Sequence, residues 1–184
     1  MKFANLAIIV AAAGALSACT SASTAAPRSD VPKLEVPPLS LEKFTGKPCR
    51  VFGVDQLDAL GISGPGTPDP EQFTGRCSWT DAKPKATTIG ISLFGETQGL
   101  ARVYAAKGAF PYFEPTEVAA YPAVDRDTGK GTTGTCATVV GIAEGAAFEI
   151  HVDVADESSA DYVTPCAVSK QVAEIALANI KGGG

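Results

Sequence analysis

The clearest hydrophobic pattern in the chain is a two-residue alternation near its C-terminal end. Residues Ala146 to Val154 place apolar side chains such as Phe148 and Ile150 on one face and polar side chains on the other. This alternation is typical of a β-strand with one buried side. Thr135 to Ile142 is a second apolar run, and the Ala143-Glu144-Gly145 segment between the two runs is typical of a β-hairpin connection.

Three further segments complete the predicted sheet. Ala86 to Phe94 alternates in the same way, Arg76 to Thr80 is a short strand, and Glu117 to Tyr121 is a candidate strand that ends before a proline. Together with the hairpin, these segments predict a sheet of about five strands. Turn-rich or polar composition predicts loops at three places: Ser63 to Thr74, Ala109 to Pro115 and Asp125 to Gly134.

Apolar side chains at helical spacing predict three helices. The first covers Arg50 to Leu60, the second covers Thr97 to Lys107, and the last begins at Pro165 with Thr164 as its N-cap. The order is helix, two strands, helix, two or three strands, helix. With hairpin connections, this order indicates an α+β domain in which helices pack against a mostly antiparallel sheet.

The first residues have the arrangement of a secretory signal peptide. Lys2 is the only charged residue before Arg28, and Leu6 to Ala18 is an unbroken run of apolar and small residues. The run is shorter than the ~20 residues that a permanent membrane-spanning helix needs. It ends in Leu16-Ser17-Ala18-Cys19, which resembles the lipobox of bacterial lipoproteins.

The lipobox predicts a lipid anchor at Cys19. In such precursors the cysteine thiol receives a diacylglycerol, and cleavage makes this cysteine the first mature residue. Two or three acyl chains hold a protein stably at a membrane, whereas a single chain binds only marginally. The alternative is an ordinary signal peptide that is cut after Ala18, with Cys19 incidental.

The chain therefore divides into three parts. Residues 1–18 are the predicted signal peptide, residues 19–47 are the lipidated cysteine and a flexible tether, and residues 48–184 form a single α+β domain. The tether is rich in Ser, Thr, Ala and Pro and has no sustained period. The alternative is that its last apolar residues, Leu39, Leu41 and Phe44, dock on the domain as an edge segment.

The composition fits a folded domain and excludes several classes of function. Hydrophobic residues make up 45% of the chain and charged residues 19%, which is typical of globular proteins. The net charge of −5 argues against nucleic acid as a partner, because non-specific nucleic-acid binding requires a basic surface. A single histidine argues against His-rich metal sites and against a Ser-His-Asp hydrolase.

Four cysteines remain once Cys19 is assigned to the lipid. They are Cys49, Cys77, Cys136 and Cys166. In an exported chain they are expected to form two disulfides, and three connectivities are possible. We favour Cys49–Cys77 and Cys136–Cys166, because each pair would tie the start of a helix to a strand. The long spacings without a CxxC pair argue against a zinc site and against thioredoxin-like chemistry.

Several short motifs occur together along the chain. In order they are Leu16-Ser17-Ala18-Cys19, Pro48-Cys49, Leu60-Gly61, Cys77-Ser78-Trp79, Tyr121-Pro122-Ala123, Cys136 in a strand and Cys166 at the start of the last helix. From Pro48 to about Lys181 the chain resembles the actinobacterial lipoproteins of the domain of unknown function 3558 family. The resemblance implies an envelope lipoprotein with a disulfide-bonded domain, and it brings no catalytic residues.

Two groups of side chains are candidates for chemistry. Glu149, His151 and Asp153 share the polar face of one strand, about 7 Å apart at alternate positions, and could flank a cation. An open sheet face is a poor cage, however. Asp125 and Asp127 lack the glycine that a calcium loop has at its sixth position. We therefore predict no metal, no cofactor and no catalytic residue.

A cluster of aromatic residues is the best sequence indication of binding. Phe110, Tyr112 and Phe113 lie close together in a chain with only 7% aromatic residues. Exposed aromatic side chains mark contact surfaces for ligands or proteins. The alternative is that they cap the core, as we expect for Trp79 beside the Cys77 bridge.

These features together predict a non-catalytic lipoprotein at the extracytoplasmic face of the cell membrane. Its domain would bind an envelope protein, a wall component or an apolar small molecule. The alternatives are an extracytoplasmic hydrolase with an unrecognised site and a purely structural envelope protein. A closed cavity under Phe110 to Phe113 would favour a small molecule, and a flat patch would favour a protein partner.

Overall fold

The computed structural model describes residues 30–69, 75–81, 87–95, 97–129 and 133–183. The predicted signal peptide, the lipobox and Cys19 lie outside these residues, so the lipid anchor stays a prediction. Among the described residues, no helix combines the length and the apolar character that crossing a bilayer requires.

A seven-stranded antiparallel sheet lies at the centre of the described fold. Its strands are β1 (Thr67–Pro68), β2 (Arg76–Thr80), β3 (Thr87–Phe94), β4 (Tyr112–Val118), β5 (Tyr121–Asp127), β6 (Thr135–Gly141) and β7 (Ala147–Val154). They lie side by side in the order β1-β2-β3-β7-β6-β5-β4, and each neighbouring pair is antiparallel. The α+β class is confirmed, but the expected count of about five strands was wrong.

One of the two additional strands is β1, which lies in the predicted loop Ser63 to Thr74, and the other comes from the hairpin of β4 and β5. The two strands pair over their full length, from Tyr112 opposite Asp127 to Val118 opposite Tyr121, where the sequence predicted two loops and one short strand. β4 is an edge strand, so it tolerates Pro115 and its exposed glutamates. β5 ends in two aspartates around an arginine, a composition typical of turns.

The turn of this hairpin also lacks the usual sequence signature. Ala119 and Ala120 form a two-residue connection in which both have positive φ, 45° and 70°. Such turns favour Asn-Gly, because the left-handed region costs other residues about 1 kcal/mol or more. Two alanines at these positions therefore gave no indication that β4 and β5 form a hairpin.

Three helices accompany the sheet. They are α1 (Val54–Ala59), α2 (Leu100–Ala105) and α3 (Pro165–Gly182). The first is shorter than predicted, because a separate 3₁₀ turn covers Pro48–Val51 and Gly53 is the N-cap of α1. α3 begins at Pro165 as predicted, although the side chain of Thr164 does not cap it.

The larger part of the core lies between α3 and one face of the sheet. On β7, Phe148 and Ile150 point into this layer and are fully buried, which confirms the predicted alternation. The side chains of Ala173 and Ala176 on α3 are also fully buried there. Their small size lets the helix approach the strands closely. Trp79 is 2% exposed in the same core, as expected.

Both favoured disulfides are present. Cys49–Cys77 joins the 3₁₀ turn before α1 to β2, and Cys136–Cys166 joins β6 to the first turn of α3. The bonded residues are 28 and 30 positions apart in sequence. Loop closure of this length corresponds to roughly 3–4 kcal/mol per disulfide in the chain-entropy model. The second bond fixes the position of α3 over the sheet.

The segment before Pro48 packs on the domain. Leu41 and Phe44 are 8% and 3% exposed and belong to the core under α3. The backbone N–H of Leu39 donates to the carbonyl of Ile142 at 2.9 Å. This corrects the expectation of a flexible tether through residue 47, because the alternative of a docked segment describes these residues. Burial of the apolar side chains outweighs the polar composition around them.

Candidate functional site

The second face of the sheet is only partly covered. α2 packs there through Leu100 and Tyr104, which contact Val124, Val139 and Ala147 on three neighbouring strands. Beyond α2, the same face continues over β3, β7 and β6 with mostly polar side chains. The edge of α2 therefore forms a step between a covered apolar area and an open polar area.

A cleft lies at this step, and we call it the α2 cleft. Its apolar lining is Phe94, Val103, Ala106 and Phe110, and its polar lining is Gln98, Arg102 and Arg126. Its volume is about 200 Å³, somewhat more than the ~150 Å³ of a cavity that takes up benzene. The cleft thus has room for a single ring or a short chain.

Arg126 on β5 forms the polar end of the cleft. Its guanidinium makes an ion pair and hydrogen bond with the Glu149 carboxylate of β7. Its Cζ atom lies 4.2 Å from the centroid of the Phe110 ring, the geometry of a cation–π contact. The side chain is 19% exposed. Its Nε group is shielded from solvent and makes no hydrogen bond within the described part of the chain.

The three predicted aromatic residues do not form one surface. Phe110 lines the α2 cleft. Phe113 packs edge-on against Tyr104, with ring centroids 5.1 Å apart, and so supports α2 from below. Tyr112 lies on the opposite face of the sheet, because neighbouring residues of β4 alternate. The prediction of a shared aromatic contact surface is therefore wrong for Tyr112.

Sequence reasoning missed most of the cleft. Arg126 was assigned to a polar turn, and Arg102 and Phe94 were not singled out. The three residues come from β5, α2 and β3, which are far apart in the chain. For Arg126 a signal was available, since the apolar run that begins at Tyr121 predicts that the strand continues for a few residues.

The polar stripe on β7 was the candidate metal site. Glu149 pairs with Arg126, so its carboxylate is engaged with a cation of the protein itself. His151 lies opposite Gly90 of β3 and Ala137 of β6, with no metal-binding side chain at either position. Within the described residues, no group of three or more His, Cys, Asp or Glu side chains is arranged to hold a metal ion.

A buried polar network lies on the α3 face of the sheet. Asp125 is 8% exposed and accepts a hydrogen bond from the Thr138 hydroxyl at 2.6 Å. Burial raises the pKa of Asp125 and nearby Glu114 adds to this, while the Thr138 hydrogen bond and Lys170 act in the opposite direction. The Thr138 N–H in turn donates to the hydroxyl of Ser169 on α3. These contacts link α3 to the sheet.

The chemistry available in the α2 cleft is that of binding. Its described lining offers apolar surface, one amide and two guanidinium groups. Guanidinium groups are donors at every nitrogen and stay charged at any physiological pH. They hold anions and oxygen acceptors in place, but they are poor proton acceptors.

Comparison with known proteins identifies a family. The model of a family described as "Protein of unknown function (DUF3558)" matches residues 14–179. No curated protein matches the chain, and no solved structure matches it.

Proposed function

Since the chain belongs to the DUF3558 family, whose function is unknown, its role has to be argued from its own residues, and we propose that it is a lipid-anchored envelope protein that binds a small ligand. The α2 cleft is the proposed binding site. The observation that carries this proposal is the juxtaposition of Phe110 and Arg126 at a cleft with an apolar lining. Ligand sites typically combine apolar walls with a few convergent polar groups.

The proposed anchor is the acylated thiol of Cys19, argued from the apolar run before it and the lipobox Leu16-Ser17-Ala18-Cys19. From Cys19 to Asp30, the first described residue, the chain spans at most ~40 Å even when fully extended. A domain held this way stays within reach of the extracytoplasmic membrane surface. The anchor thus restricts which ligands and partners the cleft meets.

The anchor is tested with Cys19→Ala. We expect the variant to leave the membrane fraction when cells are lysed and membranes are sedimented, because the acyl chains supply the membrane affinity. Ser21→Ala is the matched control, since it introduces alanine two residues from Cys19 and leaves the thiol that receives the proposed lipid. Membrane retention of Cys19→Ala at the wild-type level would contradict the anchor.

The binding site is tested by filling it. We expect native mass spectrometry of the protein released from membranes to show a bound small molecule, and Ala106→Trp to abolish it by occupying the cleft. Ala105→Trp is the control, because Ala105 is exposed on α2 and lies outside the cleft lining. Absence of any bound molecule on the wild-type chain, or its persistence on Ala106→Trp, would reject this site.

A further inference from the structure

The charges around the α2 cleft are unbalanced. Two arginines, Arg102 and Arg126, belong to its lining, and none of its described lining residues is acidic. The nearest acidic partner is Glu149, which binds one terminal nitrogen of Arg126. The cleft therefore has an excess of positive charge, although the chain as a whole has a net charge of −5.

Arg126 is held in position and retains donor capacity. Phe110 covers one face of its guanidinium, and Glu149 occupies one of its nitrogens. A guanidinium has five N–H donors, and the Arg126 side chain is 19% exposed. Because its Nε is shielded from solvent, the terminal nitrogens are the donors that a ligand in the cleft meets. Because contacts already restrict this side chain, little conformational entropy is lost when it binds an acceptor.

Arg102 supplies the second positive group from the other side of the cleft. It is exposed on α2 and free to turn toward a ligand. Carboxylate and phosphate oxygens match the planar donor pattern of arginine, and such charge-assisted hydrogen bonds are stronger than neutral ones. Phe94 and Phe110 add apolar surface to the same lining.

From this arrangement we infer that the α2 cleft binds an anionic amphipathic molecule. A carboxylate or phosphate group contacts Arg102 and Arg126, and an attached ring or short chain lies between Phe94 and Phe110. The inference rests on the proposed function and specifies the ligand class of the same site.

The test compares probes of matched shape and different charge. Benzoate and phenylphosphonate are the anionic probes, and benzamide is the neutral counterpart of benzoate. They are titrated into the full chain in lipid nanodiscs, and the methyl NMR signals of Val103 report occupancy of the cleft. We expect both anions, or the one whose headgroup matches the natural ligand, to bind at least tenfold more tightly than benzamide.

The contribution of the arginines is tested separately. We expect Arg102→Gln to weaken anion binding about tenfold and to leave benzamide binding unchanged. We expect the same result for the double variant Arg126→Gln/Glu149→Gln, which removes both members of the ion pair. Arg50→Gln, an exposed arginine outside the cleft, is the control and keeps wild-type affinity. A preference for benzoate indicates a carboxylic acid, and a preference for phenylphosphonate indicates a phosphate headgroup.

Three results would overturn the inference. Benzamide binding as tightly as both anions would show an apolar cleft without charge selection, and the proposed function would stand. Arg102→Gln behaving as Arg50→Gln in anion binding would remove the arginines from recognition. If none of the probes moves the Val103 signals the inference also fails, and the mass-spectrometric comparison of Ala106→Trp with Ala105→Trp still decides the proposed function.

Discussion

Removal of the Ser169 hydroxyl is expected to weaken the contact between α3 and the sheet. Ser169 is fully buried. Its hydroxyl oxygen accepts a hydrogen bond from the N–H of Thr138 at 3.1 Å, and its O–H donates to the carbonyl of Ile150 at 3.0 Å. Thr138 on β6 and Ile150 on β7 are register partners. One hydroxyl of α3 thus bridges backbone groups on two central strands, in a layer that solvent does not reach.

The expected cost of Ser169→Ala follows from these contacts. Thr138 and Ile150 are partners in the antiparallel ladder, so their backbone groups keep each other, and each lost hydrogen bond to the hydroxyl costs about 0.5–1.5 kcal/mol. Alanine is the better helix former and returns up to about 0.5 kcal/mol. The net loss in the free energy of unfolding for the two hydrogen bonds is therefore about 0.5–3 kcal/mol. For a domain of this size, this corresponds to a melting temperature lower by roughly 2–12 °C.

The assay is urea unfolding of wild type and Ser169→Ala, combined with amide hydrogen exchange at Thr138. Ser158→Ala is the control, because its hydroxyl donates to the nearby Asp156 on the surface, and it should cost less than about 0.5 kcal/mol. If Ser169→Ala unfolds like Ser158→Ala and the Thr138 amide keeps its protection, then the hydroxyl does not carry the contact and the reasoning is wrong.

Three further predictions test other parts of the fold. Asp125→Asn should raise the free energy of unfolding at pH 7 but not near pH 3, because burial raises the pKa of Asp125 in the folded state. Protonation of Asp125 stabilises the fold at low pH, and this contribution is lost as the pH rises through the raised pKa. Equal gains at both pH values in urea unfolding would contradict the assignment. Phe44→Ala should cost about 3–5 kcal/mol, since the ring is 3% exposed, and a cost near zero would mean that the segment before Pro48 is not part of the folded domain. Ala120→Gly should stabilise by about 0.5–1 kcal/mol by relieving the positive φ; Ala105→Gly in α2, where glycine is disfavoured, should do the opposite, and both are measured by thermal unfolding.

The elements that could be predicted from the sequence are those specified by local signals. β7 has strict alternation, and α3 has a proline at its first position and an apolar stripe. The disulfide pairing followed from the expectation that each bond joins a strand to the start of a helix. Cys136–Cys166 does so at α3, whereas Cys49 lies in a 3₁₀ turn just before α1.

The elements that could not be predicted depend on long-range pairing. β5 is buried because β4 and β6 flank it, and only this position makes the side chains of Asp125 and Asp127 buried. The same pairing brings Arg126 next to Ala137, which itself pairs with His151 beside Glu149. No local pattern reports which strands become neighbours, so the Arg126–Glu149 pair and the cleft beside it were beyond a single sequence.

The docked N-terminal segment connects the two proposals about function. Val31 packs with the cluster of Leu100 and Tyr104 under α2, and burial together with the charge of Asp30 raises the pKa of the Tyr104 phenol. The first described residues of the chain therefore lie on the face of the sheet that carries α2. The α2 cleft lies on that same face. If Cys19 carries the lipid, the connection of at most ~40 Å keeps the α2 cleft within reach of the membrane, where anionic amphipathic molecules concentrate.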